Sequence, residues 1–253
     1  HRSRRIEGLR ARAMLLSRRT GQASGPRGDI LAISLTEYRE HAEEMTAAFI
    51  QAAEFLAERC ILTVEQVPYS SQIVPLAAIL ARLGECPGAL DSEQARERLN
   101  CWFWSGVFGE LYGAHAPTIR AAVDLEEVTP WVLGETQEVP RTELDAELRH
   151  ARGAPATSDS GVDRGLCALL MARGAKDWRT GKAFDRVTYA ELQPSFNTVF
   201  PPAFCATIGA DPQVAESVLN RTPMGRRTEM VIECNEPKRD LARQQAKSLM
   251  DED

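Results

Sequence analysis

Histidines, cysteines and clustered cations are the residues of this chain that could do chemistry, and their spacing is restrictive. The four histidines, His1, His41, His115 and His150, form no i,i+4 pair and share no metal-ligand spacing. His41 lies among acids on a helical stretch, and His115 sits in Gly113-Ala114-His115-Ala116-Pro117. Each reads as a solvated or singly hydrogen-bonded side chain. No histidine follows His150. The six cysteines, Cys60, Cys86, Cys101, Cys167, Cys205 and Cys234, are scattered without a C-x-x-C pair, which argues against a zinc knuckle or ribbon. Most stand in apolar surroundings such as Leu166-Cys167-Ala168-Leu169-Leu170. The expectation is reduced, buried thiols in a cytoplasmic protein.

The run Ala172-Arg173-Gly174-Ala175-Lys176-Asp177-Trp178-Arg179-Thr180-Gly181-Lys182 is a basic, glycine-punctuated loop around one aromatic. Arg173, Lys176, Arg179 and Lys182 could clamp phosphates with Trp178 stacking nearby. A solvated turn around a packed tryptophan is the alternative. The loop is not a P-loop, because Gly174 and Gly181 are seven apart and Ala183 follows Lys182. A net charge of −6 excludes a uniformly basic coat but leaves room for a local basic groove.

The elements that must position these residues are mainly helical. With 253 residues, 43% hydrophobic and 26% charged, the chain suits one large or two small domains and needs no disulfide staples. No apolar run approaches the ~20 residues of a membrane span. Leu35, Tyr38, Met45, Phe49, Ala52, Phe55 and Leu56 recur at helical spacing, with Ser34 or Thr36 available as a cap. Ser70 or Ser71 leads into Ile73-Val74-Pro75-Leu76-Ala77-Ala78-Ile79-Leu80, where Pro75 predicts a helix start close to it. Asp91 or Ser92 caps a third helix running into Cys101-Trp102-Phe103-Trp104. Three successive aromatics cannot share one helix face, so that helix is expected to bury more than one face; a base-stacking platform is the sharper alternative. Thr118 to Trp131, Thr142 to His150 and Leu166 to Met171 read as further helices, and 151–164 as a loop between two regions.

The N-terminal end differs in composition. The chain begins with His1, and its first nineteen residues carry seven arginines against Glu7 alone. Such a start suits a transit peptide or nucleic-acid arm. The alternative, favoured by the missing Met, is a helix whose domain partner lies upstream. Thr20 to Asp29 reads as a flexible linker.

Four stretches carry a resemblance. They are Gln72 to Ala77, Trp102 to Tyr112, Ala168 to Gly181, and Ser217-Val218-Leu219-Asn220-Arg221-Thr222-Pro223-Met224. Over roughly residues 35–245 the chain resembles the C-terminal half of GmrSD-type proteins. These bacterial DNA-defence, restriction-like proteins join a nucleotide-dependent, ParB-like domain to an HNH-like nuclease domain. The resemblance implies a divalent metal such as Mg in active members, and DNA as partner.

It also implies which residues should cut. The family typically reads D-[IF]-H-H-[IV]-F-P where this chain has Ser195-Phe196-Asn197-Thr198-Val199-Phe200-Pro201. Phosphodiester hydrolysis needs a base for water and a cation for developing charge, and imidazole serves both. Here Ser195 replaces the acid, Asn197 the metal-binding histidine and Thr198 the general base. Asn220 matches the asparagine that braces the metal loop. Glu229 stands where the family has another asparagine, and Glu233-Cys234 replaces a glycine pair. Asp185, Glu191, Glu229 and Glu233 could in principle make an acidic cation site.

The reading is a mostly α chain: a basic segment and linker over 1–29, a helical domain over 30–150, and a small α+β HNH-like domain of ββα-metal type over 151–253. Its strand pair is expected around Phe196–Phe200 and Met230–Ile232. The expected function is a DNA-binding nuclease-family domain without cutting activity and without a cofactor of its own. Lys176, Arg179, Arg221, Arg226 and Arg227 would meet DNA, and Asn197, Thr198 and Asn220 hold the degenerate positions. A ParB-like domain or partner chain is possible, a membrane is not expected. An active metal-dependent endonuclease and a helical interaction module are the alternatives.

Overall fold

The computed structural model of the protein describes residues 34–113, 117–146, 160–232 and 242. The described chain is mostly helical with one small antiparallel sheet. It divides into two compact units. Residues 34–56 and 69–146 belong to the first, and residues 57–68 and those from 160 onward to the second. The basic N-terminal segment, the proposed linker, His1, His115, His150, Glu233, Cys234 and most of the 151–164 loop lie outside the described residues, as does the side chain of His41.

In the first unit α1 (Leu35–Glu58) buries Met45, Ala48, Ala52, Phe55 and Leu56 at three-to-four spacing. Its last residues, Ala57 and Glu58, count with the second unit. The central helix α2 (Ser70–Gly84) is apolar nearly all round, and Leu76, Ala77, Ala78 and Ile79 are wholly buried. Pro75 does not mark its start. The helix begins at Ser70 and carries Pro75 inside, where the proline gives up the bond to the Ser71 carbonyl. Burial on every face outweighs that loss.

Ser92 does cap α3 (Glu93–Phe108), its hydroxyl accepting from Ala95 N at 3.0 Å. The aromatic run behaves as the periodicity requires. Trp102 and Phe103 are buried, while Trp104 is half-buried and stacks on Phe108 at 5.5 Å. That placement puts two of the three rings in the core rather than on a platform. Helices α4 (Pro117–Leu133) and α5 (Arg141–Leu144) pack against α3, and α4 also packs against α2. The helix expected from Thr142 to His150 is described only as the single turn of α5. At the centre, buried Asp124 accepts hydrogen bonds from the Tyr112 and Thr142 hydroxyls.

The second unit is built on α6 (Gly161–Ala172), capped by Ser160, whose hydroxyl accepts from Asp163 N at 3.1 Å. This helix starts five residues before the expected Leu166, inside the segment read as loop, because the polar cap precedes Gly161 and Val162 is already wholly buried. Cys167 and Met171 on α6 pack with Phe184, Leu192 and Phe196. The segment 57–68 belongs here rather than with the helical domain. Cys60 takes a left-handed conformation (φ 58°), Tyr189 donates to Thr63 Oγ1 at 3.3 Å, and Arg164 donates to the Val67 carbonyl at 3.0 Å.

A short helix α7 (Tyr189–Leu192) leads into β1 (Ser195–Thr198). Helices α8 (Pro202–Thr207) and α9 (Pro212–Ala215) and a 3-10 turn (Val218–Asn220) precede β2 (Arg221–Met224), and α10 (Arg226–Ile232) follows. The strands run antiparallel with Ser195 opposite Met224, Phe196 opposite Pro223, Asn197 opposite Thr222 and Thr198 opposite Arg221. The first strand overlaps the expected Phe196–Phe200 over Phe196–Thr198, beginning one residue earlier and ending two earlier. The second lies elsewhere: Met230–Ile232 is helical, and the partner strand is Arg221–Met224. An apolar run of three residues cannot choose between strand and helix. Thr228 and Glu229 settle it, since their N–H groups turn back onto the Gly225 carbonyl at 2.9 and 3.0 Å and wind the first turn of α10.

Candidate functional site

Period-two alternation in β1 sends Ser195 and Asn197 to one face of the hairpin, and α10 brings Glu229 to the same place. Asn197 Nδ2 donates to Ser195 Oγ at 2.8 Å, and Ser195 Oγ donates to Glu229 Oε2 at 3.0 Å. These three side chains thus stand in one hydrogen-bonded chain. Thr198 sits at the end of β1 opposite Arg221.

Asn220 braces the turn that leaves β1. Its side-chain oxygen accepts from Phe200 N at 2.8 Å, and its Nδ2 donates to the carbonyls of Phe200 at 2.9 Å and Ala215 at 2.7 Å. Its own carbonyl accepts from Val199 N at 2.7 Å. The side chain is buried, so these bonds replace water and hold the Val199–Pro201 turn against the start of β2.

Chemically both faces of β1 are quiet. An amide and a hydroxyl at Asn197 and Thr198 supply no base at neutral pH. Asn197, Ser195 and Glu229 offer one carboxylate, already hydrogen-bonded, and this set does not suit a divalent cation that prefers several anionic oxygens. Among the described residues no group of three histidine, cysteine, aspartate or glutamate side chains stands together to hold a metal. Asp185 and Glu191 are engaged elsewhere. Asp185 accepts from the N–H groups of Val187 and Thr188, which hold its carboxyl below the usual range, and Glu191 pairs with Lys182 at 2.7 Å. The Cys167 thiol is pushed up to about 12, by burial first and then by Cys60 and Asp163, so it stays protonated at neutral pH.

The basic loop has an anchor that the sequence reading passed over. Asp177, which is 1% exposed, lies between the cations. Its Oδ1 accepts from Gly225 N at 2.8 Å, and its Oδ2 accepts from Thr228 Oγ1 at 2.9 Å and from Thr180 N and Oγ1 at 3.0 and 2.8 Å. Burial alone would raise this carboxyl. The bonds from Thr228, Gly225 and Thr180 outweigh it and hold the group below the ordinary carboxylate value. The loop closes on itself through Asp177 N to Lys182 O at 2.9 Å and Gly181 N to Asp177 O at 2.8 Å, with Gly174 (φ 90°) and Gly181 (φ 66°) in conformations that favour glycine. Asp177 thus ties the loop to the N-terminal turn of α10. The approach is close enough to require glycine at 225, because a Cβ there would stand 2.9 Å from Asp177 Oδ1.

Lys176 and Arg179 are exposed on this loop, and Arg226 and Arg227 are exposed at the start of α10. Arg226 donates to Gln193 Oε1 at 3.3 Å. Since Asp177 joins the two elements, these four cations belong to one bonded assembly. Trp178 is half-buried, as a packed tryptophan within the turn. Arg221 differs from the other four. Its side chain is 12% exposed and its Nη1 lies 3.4 Å from Oδ2 of the buried Asp163.

Arg221 and Asp163 line a cleft of about 510 Å³ between α6, the hairpin and the 3-10 turn Val64–Gln66. Asn197, Thr198 and Ser195 form part of its wall, and Cys167, Ala168 and Met171 part of its floor. Neither this cleft nor Asp177 was foreseen. The pattern Asp177-x-x-Thr180 was the available signal, since aspartate readily accepts from groups two or three residues on.

No protein-family model matches the chain. No solved structure matches it either. The chain is similar to an uncharacterized protein of Methanocaldococcus jannaschii, with 25% identity over 133 residues. The match covers 51% of this chain and 22% of that protein, so the chain spans under a quarter of the relative's length. Among the described residues no helix is long and apolar enough to cross a membrane. Cys167 and Cys205 are buried free thiols, whereas Cys86 and Cys101 are exposed and Cys60 is half-buried, which corrects the expectation of general burial.

Proposed function

We propose that the second unit is a DNA-binding domain derived from an HNH-type nuclease that no longer cuts, and that it serves a bacterial DNA-defence system. The observation that carries this reading is the Asn197–Ser195–Glu229 chain beside the Asn220 brace. A strand, a second strand and a helix follow in ββα order, the asparagine holds the turn, and the positions for ligand and base carry an amide and a hydroxyl. Loss of a positioned base alone costs ~10²–10⁴-fold in rate. Loss of the imidazole ligand removes the cation that would stabilise the scissile phosphate.

Binding is the activity that remains. Lys176, Arg179, Arg226 and Arg227 are exposed on two elements that Asp177 holds together, which suits phosphate contacts along a duplex. A ParB-like, nucleotide-dependent domain in the same protein or a partner chain would supply the energy-dependent part of such a system. The second reading, an endonuclease using non-standard residues, draws on Glu229 at the site.

A plasmid-nicking assay with Mg²⁺ or Mn²⁺ decides between them. The wild-type protein is expected to bind DNA and leave it intact. The Asn197→His/Thr198→His double variant is expected to gain nicking. Cleavage by the wild type would favour the second reading, and absence of any salt-dependent DNA binding would leave a helical interaction module.

A further inference from the structure

The cleft between α6 and the hairpin has a lining that the binding of a DNA backbone does not use. Its volume of about 510 Å³ falls in the ~300–1,000 Å³ range of small-molecule sites. Flat or soft groups, Phe196, Tyr189 and Met171, make part of its lining. Such groups suit the face of a planar ring. Tyr189 is held in place by its hydrogen bond to Thr63 Oγ1 at 3.3 Å.

Thr198 and Arg221, paired across the two strands, bring a hydroxyl and a guanidinium to the same cleft. Arg221 commits Nη1 to Asp163 Oδ2 at 3.4 Å, and its buried Nε has no hydrogen-bond partner among the described residues. Guanidinium and hydroxyl groups both pair with the edges of bases. The charge balance narrows the ligand further. Asp163 lies against Arg221, and Glu65 and Arg164 add one charge of each sign to the lining, so the cleft carries no net charge and is no trap for a free phosphate. It favours a neutral, planar ring with donor and acceptor edges.

We infer that this cleft holds a single nucleobase, stacked on Tyr189 and Phe196 and read at its edge by Thr198 and Arg221. The base reaches it either swung out of a strand or as part of a free mononucleotide. The first source rests on the DNA-binding reading proposed above, and the second does not.

Three probes separate the sources: a duplex with a central mismatched 2-aminopurine, the same duplex with an abasic site there, and free AMP or GMP. The mismatched duplex is expected to bind about fivefold or more tightly than the abasic one, as stacking of one base implies. The 2-aminopurine emission should change on binding. Tyr189→Leu is expected to abolish the fivefold difference and to leave affinity for the abasic duplex intact, whereas Tyr189→Phe retains it. Arg221→Met alone risks unfolding by stranding Asp163, so the guanidinium is tested in an Asp163→Asn/Arg221→Met pair with its fold checked by circular dichroism.

Equal affinity for the two duplexes with no binding of AMP or GMP would overturn the nucleobase site and leave DNA binding standing. Binding of AMP or GMP without either duplex would support the site with a free nucleotide as its ligand, and would remove the DNA-binding reading. Failure to bind any probe would overturn both.

Discussion

The Asp177 carboxylate and the Thr228 hydroxyl, 51 residues apart in sequence, meet at 2.9 Å in the interior of the second unit. With the bond from Gly225 N, this contact makes the basic loop and α10 one piece. The cations at Lys176, Arg179, Arg226 and Arg227 inherit their relative positions from it.

Asp177 gives the second unit a pH dependence of known sign. Its folded-state value is depressed, so its stabilisation is fully present above the ordinary carboxylate value of ~3.9 and is lost as pH falls through the lower folded value. Asp177→Asn is expected to destabilise the unit by about 1.5–3 kcal/mol at pH 7, the usual worth of hydrogen bonds to a buried charge. Urea unfolding followed by Trp178 fluorescence would show the gap between wild type and variant closing below pH ~4. A gap independent of pH would refute the charged anchor.

Asp124 in the first unit should behave in the opposite sense. Burial raises its carboxyl, and the bonds from Thr142 and Tyr112 only partly offset that. The folded state therefore holds the proton more tightly, and stability falls as pH rises from ~3.9 through the raised value. Asp124→Asn is expected to remove this fall while keeping the shape of the contact. Hydrogen exchange of α4 peptides against pH would show it.

Asn220→Ala is expected to free the turn after β1. Deleting the amide leaves Phe200 N and Ala215 O without their side-chain partner and Phe200 O with the Cys205 thiol alone, at a cost of about 1–3 kcal/mol. Exchange at the Phe200 amide should rise markedly while exchange in α6 stays slow. Unchanged protection at Phe200 would show that the brace carries no weight.

Replacing Lys176, Arg179, Arg226 and Arg227 together by glutamine is expected to weaken DNA binding uniformly across sequences. If each meets one phosphate, the slope of log affinity against log salt should fall by roughly 3–4. An unchanged slope would place the DNA-binding surface elsewhere.

How much of this was legible depended on how far each residue's partners lie along the chain. Ser92, the α1 stripe from Met45 to Leu56 and the divided burial of Trp102-Phe103-Trp104 follow from spacing within a turn or two, whereas Leu35 at the head of that stripe is exposed. The strand at Ser195–Thr198 was legible in part, since the expected Phe196–Phe200 overlaps it over three residues and rested on the resemblance as well as on a β-like run. Its partner was not. Arg221-Thr222-Pro223-Met224 contains a proline and a long charged side chain, and only pairing with β1 makes it extended. Pro75 misled because local rules treat a proline as a helix start, whereas burial on all sides of α2 decides its register. The role of Asp177 was hidden among cations, since its partners at Gly225 and Thr228 are remote in sequence.

The two strands are not joined by a tight turn. Everything from Val199 to Asn220, with two short helices inside it, must be looped back before Thr198 can meet Arg221. Closing such a loop costs entropy ahead of any ladder bond. The hairpin is therefore a late arrival in folding, assembled once α8, α9 and the Asn220 brace have shortened the effective loop. A chain released from synthesis would carry β1 as an unpaired edge during that interval, open to pairing with whatever extended segment lies nearest.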